Sequence, residues 1–489
     1  MGGDDRRSRC GRHLTKTNIG RSRPRTPRTG SLLQPNLCRF PVRPEATPPF
    51  IASTPCGQEG GKQAPNNDFP SCSLIVLGDS SCNTCHKRCK AHFDADWQGG
   101  SMSGGSGPVV IDLFCGAGGL SEGLRQAGFR PVVGVDFDKH AAATYRHNHP
   151  GVPVIEGSVE HVTGEQLISL AGTSDIDLIA GGPSCQGFST HGKRMQDDPR
   201  NFLFKHFVRL VDEVRPKMFL MENVKGMLTY GKGAFRRQIE AAFKEIGYRA
   251  DFAQVLAADY GAPQMRHRIL FIGTRIDAIR LSFPQPTHGD PELGLKPYVT
   301  VKEAIGDLPL MGSDYKNEAR PYSCAPQNPY QVYCRTGAPQ KVTMHVGRPL
   351  SKQAQALAKY ILQGQGLRSA PVEVLPARFT KMRTISSGAL RKDCTTLYYR
   401  LDPAKPSYTI TCNYKNVASG PFLHPWEDRA ISHREAARFM SFPDHYQFLG
   451  ASFPRQIGNA VPPLLGKAIG EAIMRSLSDY ATSNISRVA

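Results

Sequence analysis

The sequence predicts a doubly wound α/β sheet joined to a smaller, irregular second domain. Three observations carry that prediction. From Pro108 onward, apolar runs of strand length alternate with segments of helical apolar spacing. The first of these runs enters a glycine-rich turn, as a strand feeding a helix does in such sheets. Between about 311 and 427 the alternation stops, and regular patterning returns from 428 to 489.

Taken in order, "PVVIDLFCGAGG" is a strand and glycine turn, and "LSEGLRQAG" a helix closed by Gly128. "FRPVVGVDFD" is a strand ending in acids, and "KHAAATYRHNH" a helix. "DIDLIAGGPSC" is a strand and loop. "NFLFKHFVRLVDEVRP" then shows apolar i, i+3, i+4 spacing. "KMFLMENV" and "RHRILFIGT" are further strands, with the helix "GAFRRQIEAAFKEIGY" between them. These make residues 106–310 the main part of the first domain. Residues 311–427, rich in Pro, Tyr, Lys and Arg, read as an inserted second domain. The helical segments "SHREAARFMSF" and "GNAVPPLLGKAIGEAIMRSL" return the chain to the first.

Residues 1–105 stand apart. Stretches such as "RSRPRTPRTG" have no helical or strand period and read as a disordered basic extension, with Met102 an alternative start. "CNTCHKRCKAH" offers Cys82, Cys85, Cys89 and His92 for zinc. A second well-spaced ligand pair is missing, so chance cysteines in an unstructured stretch are the preferred reading and no metal is expected. The formal net charge of +19 favours a polyanionic partner, nucleic acid first, although charge leaves an anionic membrane surface open. No apolar run approaches the ~18–20 residues of a membrane span, so a soluble chain is expected. Outside the extension, Cys115, Cys185, Cys324, Cys334, Cys394 and Cys412 are too widely spaced for a disulfide framework. A reducing, intracellular setting follows.

Two groups of residues carry chemistry. Gly116, Gly118 and Gly119 lie between a strand and a helix, where a ligand can approach the backbone. The dinucleotide fingerprint is not met, because its third glycine falls at Ser121. Asp136, at the end of the next strand, is placed to accept from ribose hydroxyls. An adenosine-bearing cofactor is expected, of either nicotinamide or S-adenosylmethionine type; a plain tight turn, and Asp136 as a helix-starting acid, are the bland alternatives. At the carboxyl ends of later strands come Cys185, then Glu222 and Asn223, then Gln264, Arg266 and Arg268, the last three spaced to share one face of an extended segment.

In order along residues 109–475, "DLFCGAGGLSEG", "GGPSCQGFS", "DDPRNFLF", "MENVKGM", "DYGAPQMRHRILFIG", "REAARFMSFPD" and "QIGNAVPP" resemble the motifs of the DNA cytosine-5 methyltransferases, in the bacterial modification type. The resemblance implies a Rossmann-like S-adenosylmethionine-dependent fold with a mixed sheet. It implies that Cys185 attacks carbon 6 of a flipped cytosine in duplex DNA, within a specific short sequence, and that Glu222 holds the base at N3 and the 4-amino group. Arg266 and Arg268 would anchor the base and Glu222, and Asn223 would fix loop geometry. Phe114, Gly116, Gly118, Leu120, Asp136, Ser158, Asn459 and Val461 would surround the cofactor. Ser158 departs from the Asp that many members place at the adenine, and Ser184 from the usual proline before the cysteine.

Residues 311–427 match the family's target-recognition domain. Lys316, Arg320, Arg335, Lys341, Arg348, Arg378, Lys381, Arg383, Arg391 and Lys392, with Tyr315, Tyr330 and Tyr333, would supply mainly phosphate contacts, and Ser189 and His191 would fill the space left by the flipped base. The implied setting is a cytoplasmic, nucleoid-associated monomer of a restriction-modification system, with a cognate endonuclease as partner and no membrane. An RNA cytosine-5 methyltransferase and an inactive DNA-binding homologue are the alternatives.

Overall fold

Val109–Leu113 (β1) is buried along its whole length, and the chain that follows builds a sheet outward from it on both sides. The computed structural model describes residues 107–183, 203–229, 233–377, 379 and 395–488, within one compact unit. The extension with its cysteines, Met102, Ser184, Cys185, Ser189, His191, Arg378, Lys381, Arg383, Arg391, Lys392 and Cys394 lie outside the described residues.

After β1 come α1 (Gly119–Gln126), β2 (Arg130–Asp136), α2 (Lys139–Asn148), β3 (Val154–Glu156), α3 (Gly164–Ala171) and β4 (Leu178–Gly181). Then follow α4 (Leu203–Val214), β5 (Met218–Val224), α5 (Ala234–Glu245), β6 (Arg249–Leu256), β7 (Gln264–Met265) and β8 (His267–Thr274). Seven of the strands form one sheet in the order β3-β2-β1-β4-β5-β8-β6. β8 runs antiparallel to both neighbours, and the other pairings made by β1, β2, β4 and β5 are parallel. The sheet is therefore doubly wound and mixed, as expected.

Side chains alternate across a strand, so one face of the sheet carries Ile111, Leu113, Ile179, Phe219 and Met221, and the other Val110, Leu178, Ala180, Met218 and Leu220. Each face is roofed by helices; Phe243 of α5 stacks on Phe219 at 3.7 Å between ring centroids. Burying a side chain of this size contributes roughly 1.5–3 kcal/mol. The sequence reading assigned no strand to β3 or β6. Both are edge strands with largely unburied side chains, so they lack the apolar run by which central strands announce themselves.

The remaining chain holds α6 (Val301–Ile305), α7 (Pro329–Arg335), α8 (Lys352–Ala358), α9 (His433–Phe439), α10 (Phe453–Asn459) and α11 (Pro463–Val488). A core joins Val301, Ile305 and Tyr330 to Ile410, Tyr414, Phe439, Phe442 and Ile457, and also takes in Ala117 from the turn after β1. A smaller cluster lies within 354–430, around Leu357, Ile361, Leu367 and Leu423. Buried guanidinium groups run through this half. Arg438 lies 2.6 Å from Asp444 and also pairs with Asp307, and Arg429 lies 2.6 Å from Glu435. Glu435 also completes a capping box with Ser432 that starts α9. α11 closes back on α1 at Gly123, where any Cβ would sit 2.6 Å from the Cα of Gly466.

Candidate active site

The turn after β1 is held in an unusual backbone shape. Phe114, Gly116 and Gly118 all have positive φ, of 63°, 54° and 88°. For Phe114 that conformation is strained, and strain of this kind gathers at functional sites. A side chain at Gly118 would meet the Tyr446 hydroxyl at 2.5 Å and His149 Nε2 at 2.7 Å. The Tyr446 hydroxyl donates to the Ala117 carbonyl at 2.6 Å, so a residue from the end of the chain fixes the turn from behind. Burial holds His149 down to about 4, leaving it neutral beside them.

Asp136 ends β2 with its carboxylate facing this turn. Oδ2 accepts the Gly116 N–H at 2.8 Å and Oδ1 the Asp138 N–H at 2.8 Å. The cap of α2 is Asp138, which accepts from His140 and Ala141. Each Asp136 oxygen keeps a lone pair for a further donor, as ribose hydroxyls require. Phe137 follows, 71% exposed, a flat apolar face beside the acid that the sequence reading passed over. Its signal was present in "DFD": an aromatic between two acids at a strand end. Ser121 explains the missing third glycine. Its hydroxyl donates to Asp112 at 2.6 Å and lies 2.8 Å from the Tyr145 hydroxyl, and burial raises the Asp112 carboxyl to about 7.

Leu120 is buried in α1, and Val461 packs behind Gly119. Asn459 is exposed at the end of α10. Ser158 caps the short turn after β3, accepting the Glu160 N–H at 3.4 Å. Its neighbour Gly157 donates to the Asp136 carbonyl at 3.0 Å, which places Ser158 at the same edge. The donor set and the exposed aromatic fit an adenosine-bearing cofactor.

The second group assembles on β4, β5 and β8. In the antiparallel pair, Glu222 faces Leu270 and Val224 faces Arg268. Glu222 and Arg268 are thus diagonal neighbours on one face. Arg268 Nε lies 2.6 Å from Glu222 Oε1, and both side chains are nearly buried. Gly182, after β4, leaves room for the carboxylate, since a Cβ there would come to 3.1 Å of Glu222 Oε2. Asn223 Nδ2 donates to the Pro183 carbonyl at 2.9 Å. The amide of Asn223 therefore anchors Pro183, two residues before Cys185 in the chain.

Arg266 corrects an expectation. It does not reach Glu222. Its fully buried guanidinium donates to the carbonyls of Ile410 at 3.0 Å, Gly458 at 3.1 Å and Ala460 at 3.0 Å. Gln264 turns the same way, donating to Phe439 and accepting from Ile410. The Arg266 N–H bonds back to the Gln264 carbonyl at 3.1 Å, a tight turn that interrupts the extended segment. Gln264 and Arg266 therefore brace the second half of the chain, while Arg268 serves the pocket.

Residues 109–475 match the family model for the C-5 cytosine-specific DNA methylases. The chain belongs to that family. As a member it is a DNA cytosine-5 methyltransferase that uses S-adenosylmethionine. It is 36% identical over 431 residues to the type II methyltransferase M.AgeI of Thalassovita gelatinovora, covering 76% of this chain and all of that one. It is 38% identical to M.XorII of Xanthomonas oryzae pv. oryzae, covering 76% of this chain and 85% of the other. Among solved structures, a prophage-encoded chain from E. coli described as a DNA modification methyltransferase superposes with a TM-score of 0.58 at 28% identity, covering 76% of this chain and 99% of that one. DNA is the partner this membership supplies. No helix among the described residues is long and apolar enough to cross a membrane, and no group of three metal-ligating side chains occurs among them.

Proposed function

We propose that this methyltransferase modifies cytosine through a covalent adduct on Cys185. The observation that carries the reading is the Glu222–Arg268 pair at 2.6 Å, with Asn223 tethering Pro183 two residues before Cys185. Carbon 5 of cytosine is a weak nucleophile. Addition of the Cys185 thiolate to carbon 6 forms an S–C6 bond and moves the ring electrons toward carbon 5. Glu222 holds N3 and the 4-amino group, with Arg268 keeping its carboxyl in place, so charge leaves the ring as the thiolate adds. When bound, S-adenosylmethionine supplies the electrophilic methyl group that carbon 5 takes up. Loss of the carbon 5 proton and expulsion of the thiolate then restore the aromatic ring and free Cys185.

Phe114, Gly116, Gly118, Leu120, Asp136, Asn459 and Val461 are the proposed cofactor shell. Asp136 takes the ribose, Phe137 the flat face of the adenine, and Ser158 one adenine hydrogen bond without charge. Arg266 is a positioning residue for the closing segment around Asn459 and Val461. Residues 311–427 are the proposed target-recognition domain. The type II names of the relatives support a restriction-modification role. A cognate endonuclease as partner, a cytoplasmic setting and action as a monomer belong to the same proposal.

The test is trapping on duplex DNA containing 5-fluorocytosine, whose carbon 5 cannot release its substituent. The wild-type enzyme should form a stable adduct with its target duplex, and Cys185→Ala none. A Cys185→Ala enzyme that still methylates at the wild-type rate sinks the mechanism. Trapping on RNA in preference to DNA would overturn the substrate.

A further inference from the structure

Asp112 carries a carboxyl buried at the root of the cofactor turn, two residues before Phe114. The register of β1 sets it opposite Gly134 of β2 and Ala180 of β4. Asp136, two residues beyond Gly134, therefore lies on the same face of the sheet. One carboxyl sits beneath the start of the turn, and the other holds its middle through the Gly116 N–H at 2.8 Å.

The groups packed around Asp112 supply no positive charge. From α1 the Ser121 hydroxyl donates to Oδ2 at 2.6 Å, and from α2 the Tyr145 hydroxyl lies 2.8 Å from Ser121 Oγ. The other titratable groups that bear on it are the Cys115 thiol, the Asp136 carboxylate and the Tyr446 phenol. Each of these is neutral or negative. His149, its ring 4.5 Å from that of Tyr145, is kept neutral by burial at about 4. The arginine of α1, Arg125, is taken by Glu122 at 2.9 Å. Asp138 has Arg455 at 3.5 Å, but among the described residues no cation pairs with Asp112 or Asp136. Burial holds the Asp112 carboxyl up at about 7; the Ser121 hydrogen bond draws it down and the charge of Asp136 pushes it up. Two carboxyl groups thus face one turn without a cation between them. A positively charged ligand relieves that arrangement and a neutral one does not.

The methyl donor and its product differ in this respect by one charge, since the donor is a sulfonium and the product a neutral thioether. Building on the cofactor shell, we propose that Asp112 senses that charge: it keeps its proton in the empty enzyme and beside the thioether product, and releases it to solvent when the sulfonium cofactor binds against the turn. Asp112 touches no reacting atom. It acts on the turn through Ser121 and the backbone, as a positioning residue. The enzyme thereby prefers fresh donor to spent product, and the preference grows as the pH rises toward and past neutrality.

The test is calorimetric binding of S-adenosylmethionine and S-adenosylhomocysteine to the full-length enzyme between about pH 6 and pH 8. In the wild type the ratio of the two dissociation constants should move about tenfold in favour of the sulfonium over that range. Asp112→Asn, which can still accept from Ser121, should lose that movement; the amino groups of the ligands titrate alike with both enzymes. At pH 7 the wild type should release roughly half a proton more than Asp112→Asn on binding the sulfonium. Without ligand, wild-type melting temperature should fall relative to Asp112→Asn as the pH rises from about 5 to 7, because a folded carboxyl held at about 7 binds a proton that the unfolded one has lost. A ratio as pH-dependent in Asp112→Asn as in the wild type overturns the proposal. So does a wild-type pH dependence of equal size for both ligands, or parallel melting curves. If Asp112→Asn proves unstable, Ser121→Ala decides: losing that hydrogen bond should move the midpoint of the ratio to higher pH, and an unmoved midpoint overturns the proposal. Asp136→Ala tests the shell separately and should weaken both ligands alike. Unchanged affinity for both would overturn the shell itself, whatever Asp112 does.

Discussion

In the sheet half, β1 and β4 bury every residue and β5 all but its last, and what they bury is mainly aliphatic and aromatic. In the half built from 301 to 457, the guanidinium groups of Arg429, Arg434 and Arg438 are as deeply buried as any leucine in the sheet. The difference is one of specificity. An apolar side chain accepts any apolar neighbour of suitable shape, whereas each buried arginine needs particular acceptors in particular places. Segments 131 residues apart, as at Arg438 and Asp307, are thereby held in one arrangement although little regular structure connects them.

The largest expected effect tests that contrast directly. Arg438→Met takes the closest cation from buried Asp307 and Asp444, leaving Arg335 at 3.5 Å and Arg434 at 3.6 Å, and should destabilise the protein by about 3 kcal/mol in denaturant titration. Ile111→Val in β1 should lose only about 1 kcal/mol. Equal losses would erase the distinction between the halves.

Acid should separate them next. Burial holds His345, in the recognition half, and His149, beside the cofactor turn, down to about 4 from 6.5. Between those values the unfolded chain binds more protons than the folded one, so stability falls as the pH drops from 6.5 toward 4, on the order of 3 kcal/mol per histidine. Melting temperature followed over that range in His345→Gln and His149→Gln shows which half is the more acid-labile. A wild-type melting temperature that stays flat would remove the argument.

Tyr446→Phe removes the hydroxyl that donates to the Ala117 carbonyl. Loss of one buried hydrogen bond, about 1 kcal/mol, should weaken S-adenosylmethionine binding roughly fivefold in calorimetry and leave DNA affinity unchanged. An unaltered cofactor affinity would mean that the turn holds its shape unaided. The smallest effect belongs to the surface. Lys467 lies 3.7 Å from Glu471 with both side chains well exposed, and Lys467→Ala should change stability by less than about 0.5 kcal/mol. A larger loss would show that ion pairs matter in this protein whether buried or not.

The same contrast explains what could be read from the sequence. β1, β2, β4, β5 and β8 were legible because buried central strands write their position as apolar runs, and Gly116, Gly118 and Asp136 followed from where those runs end. β3 and β6 were not, because edge strands need no such run. Glu222 and Arg268 lie 2.6 Å apart, whereas Arg266 bonds elsewhere. Its neighbours Ile410, Gly458 and Ala460 are backbone carbonyls 144 to 194 residues away, and a carbonyl leaves no trace in residue type. Tyr446 was invisible for the same reason, reaching a carbonyl 329 residues away. Phe137 was visible and overlooked.

The inverted direction of β8 has a further consequence. In an all-parallel sheet the ligand-binding edge receives the chain only as it leaves each strand. Here β5 runs up to that edge and carries Glu222 near its end, while β8 starts from it and carries Arg268 at its beginning. The pocket is consequently lined by one exit and one entry, and the loops beyond them belong to different parts of the protein. Insertions before β8 or after β5 can reshape what enters the pocket independently of each other, while the register that joins carboxylate to guanidinium stays put. One reversed strand thus separates the part of the enzyme that must not vary from the parts that are free to.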